Sequence, residues 1–94
     1  FLNKAGGVEA DLTISRLAED RYLVVTPAFT TTQVRAWLHE NTPADACCVV
    51  TEVTGAWAML NVQGPNSRAL LGTISSAKFD NESFPFGTWR EIEI

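Results

Sequence analysis

A change of hydrophobic period near Thr30 limits the folds open to this chain more than any other feature. Before it, Val8 to Leu17 alternates, with Val8, Ala10, Leu12, Ile14 and Arg16 on one face, the period-two pattern of a strand. Tyr22-Leu23-Val24-Val25-Thr26 is rich in β-formers, and Ala18 to Arg21 is short enough to close a hairpin between the two runs. Pro27 has no N–H to donate, so the pairing is expected to end there. After Thr30 the apolar positions become Val34, Trp37 and Leu38, the i, i+3, i+4 spacing of an amphipathic helix. Thr30, Thr31 and Thr32 are candidate N-caps, and Asn41-Thr42-Pro43 is the stop.

Two further strands are expected at Cys47 to Val53 and Trp57 to Val62, turning through Thr54-Gly55-Ala56, where Gly55 can supply a positive φ. Gly64-Pro65-Asn66-Ser67 opens a second helix with Ala69, Leu70, Leu71 and Ile74 as its apolar face. Ser75 to Phe86 reads as a linker anchored by Phe79, Phe84 and Phe86, and Thr88 to Ile94 as a last strand. The expected order is β-β-α-β-β-α-β. This is an α+β fold, a mainly antiparallel sheet with helices packed on it, and residues 1–94 are expected to form a single domain. A folded chain of 94 residues buries roughly two-thirds of its unfolded surface, enough for one core.

Seven Lys and Arg against eleven Asp and Glu give a net charge of −4. The cations are scattered, which excludes a phosphate-neutralising surface and hence a nucleic-acid partner. No apolar run is long enough to span a bilayer, so no membrane partner is expected. Cys47 and Cys48 are adjacent in an apolar run. If that run is a strand, they point to opposite faces, which disfavours a mutual disulfide and suits a reducing compartment. Both then read as small buried hydrophobes. His39, the only histidine, has no partner at ligand spacing, so no metal is expected, and it reads as a solvated residue late in the helix.

Gly6-Gly7 precedes a strand and is a turn, because phosphate-binding glycines follow a strand and open a helix. Gly64 to Arg68 does open a helix, where N–H groups and Arg68 can meet an anion, but it lacks the other P-loop residues and reads as a structural helix start. Ser15, Ser67 and Ser83 have no visible base, and Trp37, Trp57 and Trp89 read as core. Glu19, Asp20, Glu91 and Glu93 read as solvated surface. Asp11 is the carboxylate of interest: expected in mid-strand between Ala10 and Leu12, it either faces water or is held for a purpose.

Phe1-Leu2-Asn3-Lys4-Ala5-Gly6-Gly7-Val8-Glu9-Ala10-Asp11-Leu12-Thr13-Ile14-Ser15-Arg16-Leu17 resembles the opening of the folate-binding domain of the aminomethyltransferase family, the glycine-cleavage T-protein and its relatives. Val62-Gln63-Gly64-Pro65-Asn66-Ser67-Arg68-Ala69-Leu70-Leu71 and Asn81-Glu82-Ser83-Phe84-Pro85-Phe86-Gly87-Thr88 continue the resemblance in the family's order. The single acid in Gly-Gly-Val-Glu-Ala-Asp-Leu-Thr is more similar to the C-terminal half of dimethylglycine and sarcosine dehydrogenases than to the free-standing T-protein.

The resemblance implies tetrahydrofolate as the cofactor, with FAD confined to a separate domain of a parent protein. It implies transfer of a one-carbon unit from an N-methyl amine or an aminomethyl donor to tetrahydrofolate. Asp11 aligns with the catalytic acid that lies against the pterin, where a carboxylate can hydrogen-bond a ring N–H or take up a proton. Thr13 aligns with a pterin-pocket residue, and Thr26 stands where the T-protein has a ligand-contacting Asn. Other parts of the family's pocket have no counterpart in these 94 residues. The chain therefore reads as a piece of a longer protein, with folate and the remainder of the parent polypeptide as its partners. The alternative is a non-catalytic regulatory or protein-interaction module derived from the same family.

Overall fold

The structure, a computed structural model, describes all of residues 1–94 and contains a two-stranded antiparallel sheet and helices, in keeping with a small α+β fold. Two compact units, Phe1–Trp57 and Ala58–Ile94, divide the chain.

In the first unit, strand β1 (Thr13–Ala18) pairs with β2 (Arg21–Val25), with Thr13 opposite Val25 and Ile14 opposite Val24. The register slips between Arg16 and Ala18, a bulge that tightens the hairpin at the turn. β1 is shorter than the expected Val8 to Leu17. Carried two residues toward the N-terminus, the register would set Asp11 against Pro27, which has no N–H, so the ladder stops at the Thr13–Val25 pair. The half-buried positions of β1 are Ser15 and Leu17, so the face expected to carry Ile14 and Arg16 is the exposed one.

Pro27 also governs the passage from strand to helix. Its carbonyl accepts the Thr30 N–H at 2.9 Å and the Thr30 hydroxyl at 2.9 Å, closing a 3-10 turn, Ala28–Thr30, that leads into helix α1 (Thr31–Asn41). Thr30 is the N-cap residue, but its hydroxyl caps no helix N–H. Val34 is buried and Trp37 and Leu38 are half-buried, which matches the expected apolar spacing. At the other end Asn41 Nδ2 donates to the Trp37 carbonyl at 2.8 Å and the Thr42 hydroxyl to the Leu38 carbonyl at 2.6 Å, satisfying carbonyls the helix leaves open. His39 is exposed in the last turn.

The Phe1 ring stacks on Trp37, 4.1 Å between centroids and 11° from parallel. Residues 1–10 turn back on themselves through Asn3. Its Oδ1 accepts the Ala5 N–H at 3.0 Å and the Gly7 N–H at 2.8 Å, and its Nδ2 donates to Glu9 Oε1 at 2.9 Å. Gly6 takes φ 82°, where a side chain is strained, and a Cβ on Gly7 would lie 2.9 Å from Asn3 Nδ2, so a side chain at 7 would displace the Asn3 amide.

The three other expected strands are not formed. Residues 47–53, 57–62 and 88–94 are unpaired, and Gly55 sits in a 3-10 turn, Thr54–Ala56, without a positive φ. Strand preference largely measures packing against neighbours, and these segments have no neighbour strand. Val49 is 86% and Leu60 88% exposed. Cys47 and Cys48 are likewise exposed, not buried, and Trp57 and Trp89 are exposed rather than core. Phe86, expected as an anchor, is fully exposed. Val34 and Phe79 alone are buried, at 4% and 7% exposure.

The second unit contains one short helix, α2 (Ser67–Leu71), entered through Gly64 at φ 108° with Ser67 N–H donating to the Gly64 carbonyl at 3.1 Å.

Replacing Asn3 by Ala removes all three side-chain bonds of the first turn. The expected effect is a loss of about 1 kcal/mol from that hairpin, read as roughly five-fold faster exchange of the Gly7 amide. Amides in the β1–β2 ladder serve as the internal reference; an unchanged Gly7 rate would refute the role given to Asn3.

Candidate functional site

The three residues singled out from the sequence lie at one end of the β1–β2 hairpin. Thr13 opens β1 and pairs with Val25, Thr26 follows directly on β2, and Asp11 precedes β1 by two residues. Asp11 is therefore not in mid-strand as expected. Released from the ladder by Pro27, it is exposed and has no fixed partner among the hydrogen bonds of this end. Thr13 is also exposed.

Thr26 is placed differently. Opposed residues share a face and neighbours alternate, so Val25, not Thr26, shares the face of Thr13. The half-buried Thr26 hydroxyl lies 2.7 Å from that of Thr30. Since Thr30 gives its own proton to the Pro27 carbonyl, Thr26 supplies the proton of this bond and keeps only acceptor capacity. The hairpin end thus offers one carboxylate and one hydroxyl to solvent, with a second hydroxyl committed to the turn.

The cleft in the second unit is elsewhere. It encloses about 450 Å³, open to solvent, between Ser75, Lys78, Ser83, Arg90, Glu91 and Glu93. Sequence reasoning missed it, taking Ser75 to Phe86 as a linker and the two glutamates as plain surface. Its walls are tied by side chains: Ser75 donates its hydroxyl to the Glu93 carbonyl, 18 residues on, at 2.6 Å, and Arg90 lies over the Phe84 ring at 5.4 Å. Two cations, two carboxylates and three serines face this cleft, with no histidine or cysteine to act as base or nucleophile.

Arg68 explains how the loop beside the cleft is held. Its Nη1 donates to the Phe79 carbonyl, and both Nη atoms donate to the Phe84 carbonyl at 3.2 Å. The guanidinium is occupied by the loop it organises, which agrees with a structural start to α2 rather than an anion site. Phe79 and Phe84 meet at a tilt within the loop, 6.4 Å between centroids at 49°. The turn between them is closed by Asp80, whose Oδ1 accepts the Ser83 N–H at 2.7 Å and whose carbonyl accepts the Phe84 N–H at 2.8 Å. The backbone N–H of Ser83, then its hydroxyl, hold the Asp80 carboxyl below its ordinary pKa.

Comparison with known proteins settles the family. The model of the GCVT N-terminal domain matches residues 1–94, the whole chain. The chain belongs to the GCVT N-terminal domain family. Among curated members, 4-methylaminobutanoate oxidase (formaldehyde-forming) of Paenarthrobacter nicotinovorans is 42% identical over 94 residues, all of this chain and 11% of that protein. The mitochondrial pyruvate dehydrogenase phosphatase regulatory subunit of Mus musculus is 29% identical over the same span, again 11% of its length. Mitochondrial sarcosine dehydrogenase of Mus musculus is 35% identical over 102 residues, 94% of this chain and 11% of the enzyme. Bacterial aminomethyltransferases match as well. This GCVT segment therefore spans about a tenth of the first relatives' length. No solved structure matches it. No helix in it is long and apolar enough to cross a membrane.

Because the folded pKa of Asp80 is lowered, its contribution to the turn is complete above the ordinary Asp range, about 3.9, and fades as pH falls through the depressed folded value. Following the Ser83 amide proton against pH should give a midpoint below that of an unstructured Asp peptide, and Asp80→Ala should abolish the transition. A midpoint at the ordinary value would show that the bond to Ser83 does not persist in solution.

Proposed function

We propose that these residues are a tetrahydrofolate-contacting part of a folate-binding domain in a larger aminomethyltransferase or demethylating dehydrogenase. That parent would move a one-carbon unit from an N-methyl amine or aminomethyl donor to tetrahydrofolate. The match of the GCVT N-terminal domain to the entire chain carries this reading.

The chemistry of the hairpin end is compatible with a pterin. Asp11 presents a carboxylate, which accepts hydrogen bonds from ring N–H groups and can take up a proton released when the folate amine attacks an electrophilic carbon. Thr13 presents a hydroxyl that can both donate and accept. Thr26 retains an acceptor only, so it would serve a ligand that donates. Bound tetrahydrofolate would supply the nucleophilic amine; the residues named would bind and orient it. FAD belongs, on this reading, to another domain of the parent.

The exposed apolar residues Val49, Val53, Trp57, Met59, Leu60 and Val62 support a further part of the proposal. Their side chains are the kind that the remainder of a parent polypeptide would cover, and the relatives are far longer than this segment. Catalysis would then need that remainder, and the segment alone would bind folate weakly.

A second reading is favoured by one comparison. A protein named as a regulatory subunit shares 29% identity over the full span, so a non-catalytic interaction module from this family is the competing function.

Titrating tetrahydrofolate while following amide shifts distinguishes the two. Saturable shifts at Asp11, Thr13 and Thr26, lost in Asp11→Ala, are the expected outcome. Absence of shifts at millimolar ligand, together with concentration-dependent self-association in sedimentation, would overturn the folate reading in favour of the interaction module.

A further inference from the structure

Adjacent cysteines in a strand diverge, but Cys47 and Cys48 are not in a strand. A turn closed by the Ala46 N–H and the Pro43 carbonyl, 3.0 Å apart, delivers the chain to Cys47 at φ 46°. No other non-glycine residue has a positive φ, and in this left-handed region a side chain is strained. The alternation that would throw the two thiols to opposite faces is broken at this point. Both cysteines are exposed and free.

A direct S–S bond is poorly suited to the pair. The peptide between them is trans, which sets their Cα atoms about 3.8 Å apart, closer than the roughly 4.4–6.8 Å of ordinary disulfides. Inserting one atom between the sulfurs lengthens their separation and relieves that mismatch. The atom must be soft and must accept two thiolates at once.

We propose that Cys47 and Cys48 form a vicinal dithiol site that chelates thiophilic electrophiles of the trivalent arsenic class. With an arylarsenic(III) dihydroxide, each thiol proton leaves with one arsenic-bound hydroxyl as water. Two As–O and two S–H bonds break, two As–S bonds and two O–H bonds of water form, and arsenic remains trivalent. No oxidant is consumed. The second sulfur binds a centre already held by the first, so its effective concentration is high and the chelate outlasts any single thiol adduct. The site lies outside the proposed folate-contacting residues and does not depend on them.

The test treats the reduced chain with phenylarsine oxide, reads intact mass, and challenges the adduct with excess glutathione as a monothiol competitor. Wild type should carry one phenylarsenic group per chain, lose both titratable thiols and resist the competitor. Cys47→Ser and Cys48→Ser, each checked for an unchanged amide spectrum, should bind at least about 100-fold more weakly. Equal affinity in wild type and either variant would overturn the site. So would no adduct on wild type, or arsenic linking two chains.

Discussion

The missing N–H of Pro27 is the constraint on which the first unit turns. It ends the β1–β2 ladder at Thr13 and Val25, and so leaves Asp11 outside the sheet. The same residue's carbonyl collects the Thr30 N–H and hydroxyl, which fixes the step from strand to helix. One imino acid therefore both exposes the acid proposed to work on folate and commits the Thr26 hydroxyl, through Thr30, to the scaffold. A residue with an N–H at position 27 could extend the ladder and draw Asp11 into it.

The second unit depends on a cation in a comparable way. α2 is too short to stand on its own hydrogen bonds, and the loop after it offers several carbonyls with no helix or sheet to receive them. Arg68 satisfies two of these, from Phe79 and Phe84, with one planar group. Phe79, the buried residue of this unit, sits where that anchor holds the backbone. Asp80 then closes the turn between the two phenylalanines from the carboxylate side.

Local signals proved readable where the physics is local. The hairpin, the stop at Pro27, the apolar stripe Val34, Trp37, Leu38 and the end of α1 at Asn41 follow from period, turn chemistry and missing donors within a few residues. The strands expected at 47–53, 57–62 and 88–94 follow from the composition or alternation of each run by itself, and a strand exists only when another segment supplies its hydrogen bonds. That partner cannot be inferred from the run itself, nor can the face it buries. The positive φ of Cys47 was hidden for a related reason, because the apolar run around it looked regular. Asp11 and Thr13 are proposed as site residues through family resemblance alone, whereas the cleft walls, joined by contacts such as Ser75 to Glu93, have no periodic trace.

The first turn couples two positions that look independent along the chain. Asn3 reaches over Gly7 so closely that any β-carbon there would meet its side-chain amide. Drift at either position is therefore conditional on the other. A chain that acquires a side chain at 7 gains by exchanging Asn3 for something smaller, and one that keeps Asn3 must swing its amide away from the bonds it makes to the Ala5 and Gly7 N–H groups. Across descendants of this sequence the two sites should change as a pair, leaving a record of the turn in sequence variation even where its geometry is never measured.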